Sequence, residues 1–238
     1  MSESTSVGQL YLIPCYLDEE AIHTIPSYVQ KAVAGCSVFL VENERSARRF
    51  VKKLWKEIVI DDHQWHLIES GGEKQIKTLL SALKNGQRVG IISEAGCPGI
   101  ADPGQLLVRA AQENGYKVSP LVGPNSILLA LMASGMNGQH FSFHGYLPID
   151  AADRKKKIKE LETISAKENA TQIFIETPYR NHALINDIIS TCRQQTLFCV
   201  AANLTGPLEN IITRSIGEWK KVGLDFHKQP SIFLLYAG

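Results

Sequence analysis

Short apolar runs alternate along this chain with longer segments whose apolar residues return every three or four positions, the rhythm of strands followed by helices. Residues 9–13 predict a first buried strand ending at Pro14. From Pro26, the spacing of Tyr28, Val29, Ala32 and Val33 predicts a helix stopped by Gly35. Residues 37–41 predict a second strand, closed by the polar cluster Glu42-Asn43-Glu44-Arg45, and a basic helix follows from Ser46 to Trp55. Residues 65–68 read as a strand, Gly71-Gly72 as punctuation, and 73–84 as a helix with Ile76, Leu79, Leu80 and Leu83 on one face. Strands are predicted at 89–92 and 118–122, the second ending in the tight turn Gly123-Pro124-Asn125-Ser126, where Asn125 or Ser126 caps the next helix. That helix, 127–134, is apolar nearly all round and therefore buried. Alternation of this kind predicts a mostly parallel sheet with right-handed crossovers, in an α/β domain whose ligand loops share one edge.

The segment Ser93-Glu94-Ala95-Gly96-Cys97-Pro98-Gly99-Ile100-Ala101-Asp102-Pro103-Gly104 interrupts this rhythm. It is longer than most strand-to-helix connections, and its three glycines and two prolines fix its shape and let its backbone approach a ligand. Asp102 is placed as N-cap, Pro103 as first helical residue and Gly115 as the stop of the following helix. The composition changes near Leu147-Pro148-Ile149-Asp150, where Arg154-Lys155-Lys156-Lys157-Ile158-Lys159 opens a charged helix, so a domain boundary is expected between residues 146 and 147. Beyond it, strands are predicted at 171–175, 197–202, 210–215 and 231–236. Thr177 and Pro178 start a helix running through Ile185, Ile188 and Ile189, and a short helix is expected at 217–222. Closely spaced strands here favour a mixed sheet.

Composition narrows the classes. The 238 residues, 44% hydrophobic and 21% charged, describe a globular protein with room for one large or two modest domains. A formal charge of +1 supplies no global field toward nucleic acid or an anionic membrane. The five cysteines, Cys15, Cys36, Cys97, Cys192 and Cys199, contain no CxxC pair, so neither a metal site nor a disulfide framework is expected. No charged-then-apolar leader opens the chain and no apolar run approaches the roughly 18 residues of a bilayer span, so a cytoplasmic protein with no membrane partner is expected. No GxGxxG follows the first strand, and GxxxxGK[ST], GxSxG and HExxH are absent. What remains are loops rich in glycine, proline and small polar residues, suited to clasping a ligand.

Those loops carry a resemblance. The segment 93–104 resembles the SDAGTPGISDPG signature of the tetrapyrrole-methylase superfamily, and more narrowly its branch of bacterial small-subunit rRNA (cytidine-2′-O)-methyltransferases. In the same order, Leu10-Tyr11-Leu12-Ile13-Pro14 is similar to that branch's LYLVP and Glu42-Asn43-Glu44-Arg45 to its EDTR. Gly123-Pro124-Asn125-Ser126 through Gly135 resembles GPSALLTALAASG, and Phe143-His144-Gly145-Tyr146-Leu147-Pro148 resembles FxGFLP. Phe174-Ile175-Glu176-Thr177-Pro178-Tyr179-Arg180 resembles FYESPHR, and Ala202-Asn203-Leu204-Thr205 resembles RELT. The resemblance, carried by seven motifs in register, covers about residues 9–238.

The resemblance implies an N-terminal parallel-sheet domain, a C-terminal mixed-sheet domain, S-adenosylmethionine in the cleft between them, and a homodimer. Carried over position by position, it implies cofactor contacts at Pro14, Ser93, Glu94, Ala95, Gly96, Ile100, Asn125, Ser126, Glu176 and Leu204. Departures cluster at the same places: the first loop lacks the family's glycine, Glu94 replaces the signature aspartate, Ala101 its serine, and Asn203-Leu204-Thr205-Gly206 stands for RELTK. The expected reaction is in-line transfer of the sulfonium methyl, in which positioning can supply roughly 7–11 kcal/mol. For a ribose hydroxyl, proton removal is assigned to the cluster Glu42, Glu44 and Arg45, which a solvated helix cap with an ion pair explains equally well. His144 is a further base candidate, although a lone histidine in an apolar strand is more often structural. Arg154, Lys155, Lys156, Lys157 and Lys159 either meet phosphates of rRNA or the small ribosomal subunit, or form a solvated helix face. Two alternatives to an rRNA methyltransferase stay open: a methylase of a small tetrapyrrole-like acceptor, and a cofactor-binding protein that has lost catalysis.

Overall fold

The computed structural model describes residues 8–69, 72–221, 223 and 225–238. Gly71 and Val222, at the predicted punctuation before residue 73 and the predicted helix 217–222, lie outside the described residues. The chain divides into two compact units, Met1–Pro124 and Asn125–Gly238.

The first unit runs β1 (Gln9–Ile13), α1 (Tyr28–Ala34), β2 (Val38–Val41), α2 (Glu44–Leu54), β3 (Gln64–Leu67), α3 (Glu73–Lys84), β4 (Arg88–Ile92), α4 (Gln105–Glu113) and β5 (Lys117–Pro120). Its sheet has the order β3-β2-β4-β1-β5, and every pairing is parallel. The central strands β2 and β4 read as nearly continuous apolar runs because both faces are covered. Along β2, Val38 and Leu40 join one core with Leu79 and Leu83 of α3 and Leu107 of α4, whereas Phe39 and Val41 join the other with Val29 and Val33 of α1 and Phe50 of α2. The pleat therefore sends alternate residues to opposite helical layers. Gly90, in the middle of β4, has no room for more than hydrogen: a Cβ there would lie 2.5 Å from Ile13 Cδ1 and 3.0 Å from Phe39 Cδ1.

The second unit runs α5 (Ser126–Ser134), β6 (Phe141–Tyr146), α6 (Ala151–Glu168), β7 (Thr171–Ile175), α7 (Asn181–Thr191), β8 (Leu197–Ala202), β9 (Asn210–Ser215), α8 (Ile216–Trp219) and β10 (Ser231–Tyr236). The sheet order is β6-β7-β10-β8-β9, with β6 and β7 parallel and the other pairs antiparallel, the mixed sheet expected of this half. One face carries stacked rings, Phe174 on Phe233 and Phe198 on Phe233, with centroids 6.1 and 6.2 Å apart. The division between units falls before α5 rather than after β6. The reason is pairing: β6 adds to β7, and α5 packs on β8, β9 and β10.

Several helix starts shift for local reasons. Asn43 caps α2 by accepting the Ser46 N–H at 3.1 Å, so that helix begins earlier than its basic run. The segment from Pro178 to Arg180 is a 3-10 turn, and α7 begins only at Asn181. α4 starts at Gln105, not at Pro103, because Asp102 is used inside the loop instead of as a cap. Among the described residues no helix is long and apolar enough to cross a membrane.

The basic run at the start of α6 divides in two. Arg154 is buried, donating from Nε at 2.8 Å and from Nη2 at 2.5 Å to Asp187 Oδ2 on α7, and from Nη1 at 2.7 Å to the Ile149 carbonyl. It is a structural ion and not a phosphate contact, while Lys155, Lys156 and Lys159 remain exposed. Removing one partner of a buried pair leaves an uncompensated charge at a cost of about 3–5 kcal/mol. Arg154→Met is expected to lower stability by about that amount in denaturant unfolding, whereas Lys156→Ala should stay within about 0.5 kcal/mol of the parent. Similar losses in both variants would remove Arg154 from its structural role.

Candidate functional site

All strands of a parallel sheet end on one edge, so the loops after β1, β2, β4 and β5 gather there. The loop after β1 leads to α1 on one face, and the loop after β4 leads to α4 on the other. Neighbouring strands whose connections leave in opposite directions open a crevice, the topological switch point where open α/β sheets bind ligands.

Across that crevice Cys15 and Gly96 form an isolated antiparallel bridge, with Cys15 N–H to Gly96 O at 2.8 Å and Gly96 N–H to Cys15 O at 3.1 Å. Gly96 holds φ +72°, and a Cβ there would come 3.3 Å from Leu17 and 3.4 Å from the Pro124 carbonyl. Gly123 packs directly on Pro14, where an added Cβ would sit 2.2 Å from the proline Cβ. Cys97 Sγ reaches the Pro124 carbonyl at 3.4 Å. Asp102 braces the far side of the loop, accepting Gly99 N–H at 2.8 Å and Gly104 N–H at 2.7 Å. This was its hidden role in the sequence: an aspartate between glycines and a proline serves a turn as readily as a cap.

The predicted residues of this unit separate by environment. Pro14, Ser93 and Gly96 are buried, and Ser93 Oγ donates to Ala95 O at 3.4 Å. Glu94, Ala95 and Ile100 face outward, Ile100 being 49% exposed. Glu42 Oε1 accepts the Glu94 N–H at 3.2 Å, so the carboxylate ending β2 meets the long loop. Burial pushes the Glu42 carboxyl above its ordinary value, repulsion from Asp102 adds to this, and the Glu94 N–H pulls it back. Asp102 is also raised by burial, against the two N–H groups it accepts. Glu44, by contrast, pairs with Arg48 at 2.5 Å along α2, and Arg45 is exposed on the first turn of that helix. Of the sequence-predicted cluster, the structure joins Glu42 to the loop and spends Glu44 on its own helix.

In the second unit, β7 and β8 are both antiparallel to β10, so their carboxyl ends share an edge beside the start of that strand. Glu176 follows β7; its side chain is 1% exposed, and its Oε1 accepts Thr177 N–H at 2.6 Å and Arg180 Nε and Nη2 at 2.9 and 2.5 Å. Its other oxygen, Oε2, is buried without a hydrogen-bond partner. Leu204 follows β8 and is buried between Asn203 and Thr205, which hold φ +51° and +67°. A β-branched threonine in the left-handed region is a true outlier, of the kind that collects at functional sites. Thr205 Oγ1 is likewise buried with no partner. Neither the strain nor the orphan atoms has a sequence signal beyond the replaced RELTK motif. Asn125 caps α5 by accepting Leu128 N–H at 3.1 Å, and Ser126 is the first residue of that helix. His144 Nε2 lies 2.7 Å from Gln172 Oε1 between β6 and β7, a structural pairing.

Among the described residues of the second unit three buried oxygens have no hydrogen-bond partner, Glu176 Oε2, Asn181 Oδ1 and Thr205 Oγ1. Since native buried polar atoms are almost always paired, those of Glu176 and Thr205, which follow β7 and β8, suit a donor-bearing ligand at this edge. A ligand with an amine, ribose hydroxyls and an adenine amino group, as in S-adenosylmethionine, meets that requirement. Cys15, Cys36 and Cys192 are driven up to about 12 by burial and Cys199 to about 11, so these thiols stay protonated and are not nucleophiles. Among the described residues no cluster of three or more His, Cys, Asp or Glu is arranged to hold a metal ion.

The chain is 31% identical over 218 residues, 91% of its length and 72% of the relative's, to "Ribosomal RNA small subunit methyltransferase I" of Escherichia coli O157:H7. It is 32% identical over 187 residues to the protein of the same name from Mycobacterium tuberculosis (strain ATCC 25618 / H37Rv), covering 79% of the chain and 64% of that relative. Among solved structures, a cobalt precorrin-4 methyltransferase superposes with TM-score 0.62 at 14% identity, over 99% of this chain and 98% of that one. A uroporphyrin-III C-methyltransferase from Thermus thermophilus complexed with S-adenosylhomocysteine superposes with TM-score 0.58 at 14% identity, over 96% and 97% of the two chains. Residues 25–220 match the family described as Tetrapyrrole (Corrin/Porphyrin) Methylases, and with the parallel sheet, the mixed sheet and the signature loop in place, the chain belongs to that family.

Proposed function

We propose that this protein is an S-adenosylmethionine-dependent methyltransferase that modifies a ribose 2′-hydroxyl of small-subunit rRNA, acting as a cytoplasmic homodimer. The observation that carries the choice of acceptor is the similarity, over 91% of the chain, to a relative named as a small-subunit rRNA methyltransferase. The cofactor brings an electrophilic methyl group on a sulfonium. Each unit brings its own candidate contacts for it: Pro14, Ser93, Glu94, Ala95, Gly96 and Ile100 on the first, and, taken separately, Asn125, Ser126, Glu176, Leu204 and Thr205 on the second. The acidic side chains on the long loop favour a cationic ligand by simple Coulomb attraction.

Glu42 is the assigned base. A ribose hydroxyl must lose its proton as the methyl arrives, and a carboxylate whose affinity for protons is raised by burial accepts one more readily than an exposed carboxylate. The Glu94 N–H fixes the orientation of that carboxylate. A small tetrapyrrole-like acceptor is the second reading, supported by the description of the matching family as Tetrapyrrole (Corrin/Porphyrin) Methylases.

Calorimetry with S-adenosylmethionine and transfer of labelled methyl to small subunits lacking ribose methylation test the proposal together. Binding with labelling of the subunit supports it; labelling of a porphyrinogen alone overturns the acceptor, and absence of binding overturns the enzyme. Glu42→Gln should keep cofactor binding and lose about 10²- to 10⁴-fold in transfer rate. Thr205→Val should weaken cofactor binding about 2- to 10-fold while leaving the thermal midpoint of the free protein equal or higher, since it removes an unpaired buried hydroxyl.

The pH dependence of stability has a defined sign. Glu42 and Asp102 hold protons more tightly in the folded chain than in the unfolded one, so their contribution falls as pH rises from the ordinary carboxylate range through their raised values. Glu42→Gln keeps an acceptor for Glu94 and deletes the buried charge. Its unfolding midpoint is expected above the parent's at neutral pH, with the gap closing as acidification protonates Glu42. Thermal scans across that range check it, and a gap that widens on acidification would contradict the assignment.

A further inference from the structure

The 3-10 turn Pro178–Arg180 is pinned at both ends. Arg180 is clamped by Glu176 Oε1, Arg180 N–H donates to the Thr177 carbonyl at 2.9 Å, and Lys228 N–H donates to the Pro178 carbonyl at 3.0 Å. The residue between them is nonetheless left outside: Tyr179 is 71% exposed. A large aromatic ring held by a fixed backbone and turned to water presents a prepared contact surface.

Its surroundings are cationic and aromatic. Lys228 Nζ lies 5.8 Å from the Tyr179 ring centroid, and the His227 ring meets it edge-on at 6.3 Å and 77°. His182 lies 5.7 Å from His227 and pairs through Nε2 with Asp225 Oδ1 at 2.7 Å, while His227 N–H donates to the same carboxylate oxygen at 2.7 Å. Lys228 itself holds a left-handed φ of +60°, a strained conformation retained beside the ring. Two residues separate Tyr179 from Glu176, whose Oε2 is the bare oxygen, so the ring stands on the same sheet edge as the buried oxygens without partners among the described residues. Tyr146, 61% exposed, ends β6 opposite Ile175 on that edge as well.

A fixed aromatic face with an ammonium group beside it is the arrangement that stacks an unpaired nucleobase and meets its phosphate. We infer that Tyr179, flanked by Lys228 and His227, is a stacking platform for an unpaired base of the RNA substrate. The inference rests on the reading of RNA as acceptor and assigns a recognition residue to it.

The test compares the full-length protein with Tyr179→Ala and Tyr179→Phe, measuring affinity for a single-stranded RNA carrying 2-aminopurine, methyl transfer to unmethylated small subunits, and calorimetry with S-adenosylmethionine. Tyr179→Ala is expected to bind the RNA roughly 5- to 100-fold more weakly and to raise KM more than it lowers kcat. Tyr179→Phe should restore RNA affinity to within about twofold, since stacking needs the ring and not the hydroxyl. Cofactor affinity should be the same in all three. RNA affinity unmoved by Tyr179→Ala overturns the platform alone, as does a Phe variant as weak as the Ala one. A parallel fall in cofactor affinity overturns it too, by making the ring part of the cofactor site. Unchanged binding of free RNA with impaired methylation of subunits would assign the ring to a ribosomal protein and overturn the inference. A parent chain that neither binds RNA nor methylates subunits would overturn the acceptor reading itself.

Discussion

Two hydrogen bonds between Cys15 and Gly96 set the geometry on which the first unit's ligand edge depends. A parallel sheet has no internal reason to bring the loop after one strand against the loop after its neighbour, because successive crossovers carry the chain to different faces. Here an antiparallel bridge closes the crevice where those crossovers diverge. The bridge needs Gly96 in a left-handed conformation with Leu17 and the Pro124 carbonyl close on the missing side chain. The third loop is brought in by Gly123 against Pro14 and by Cys97 against the Pro124 carbonyl. The fourth arrives through Glu42 on the Glu94 amide. Four strand ends are thus tied by backbone and small side chains, leaving the larger groups of the long loop turned outward.

The second unit solves a different problem. Its mixed sheet places the ends of β7 and β8 beside the start of β10, and the backbone there is held by side-chain amides and carboxylates: Asn203 Nδ2 on Gln229 Oε1 at 2.9 Å, and Glu209 Oε2 accepting Thr205 N–H at 2.7 Å. Those contacts hold Asn203 and Thr205 in conformations that cost energy and bury a hydroxyl with no partner. Glu176 uses one oxygen for three donors and leaves the other bare. Each of these two atoms could be removed by a single substitution at a gain in stability, the position in which a group that meets a ligand is left.

Most of the fold was legible because its signals are periodic. The apolar runs of β1, β2, β4, β8 and β10 and the helical spacing in α1, α3 and α7 are set by burial on sheet faces and helix stripes, which local sequence encodes directly. The errors fell where a polar residue had two local uses. Asp102 can cap a helix or brace a turn, and the nearby amides of Gly99 and Gly104 decided for the turn. Arg154 stands in a run of lysines that looks uniformly solvated, yet a buried aspartate one helix away in sequence claims it. Glu42, Glu44 and Arg45 are adjacent in sequence, but the cap at Asn43 turns the chain between them, so only the first is bonded to the loop. The surroundings of Tyr179 depend on Lys228 and His227, distant in sequence, which no local pattern announces.

The acidic residues on and against the long loop show how the first unit divides stability from chemistry. Glu42 and Asp102 are each partly buried and raised by that burial, and Asp102 and Glu94 further raise the cost of ionising Glu42. Backbone amides compensate only in part: Asp102 receives two and Glu42 one. An arrangement aimed at folding would have provided a cation, yet of the arginines on the first turns of α2, Arg45 is exposed and Arg48 is paired instead with Glu44. Leaving the net negative charge at the crevice costs stability at neutral pH and favours a bound cation there, while keeping on Glu42 a carboxylate that gains a proton more easily than one in water. Both consequences serve transfer of a group from a sulfonium to a hydroxyl, and a neutral or cationic loop would provide neither.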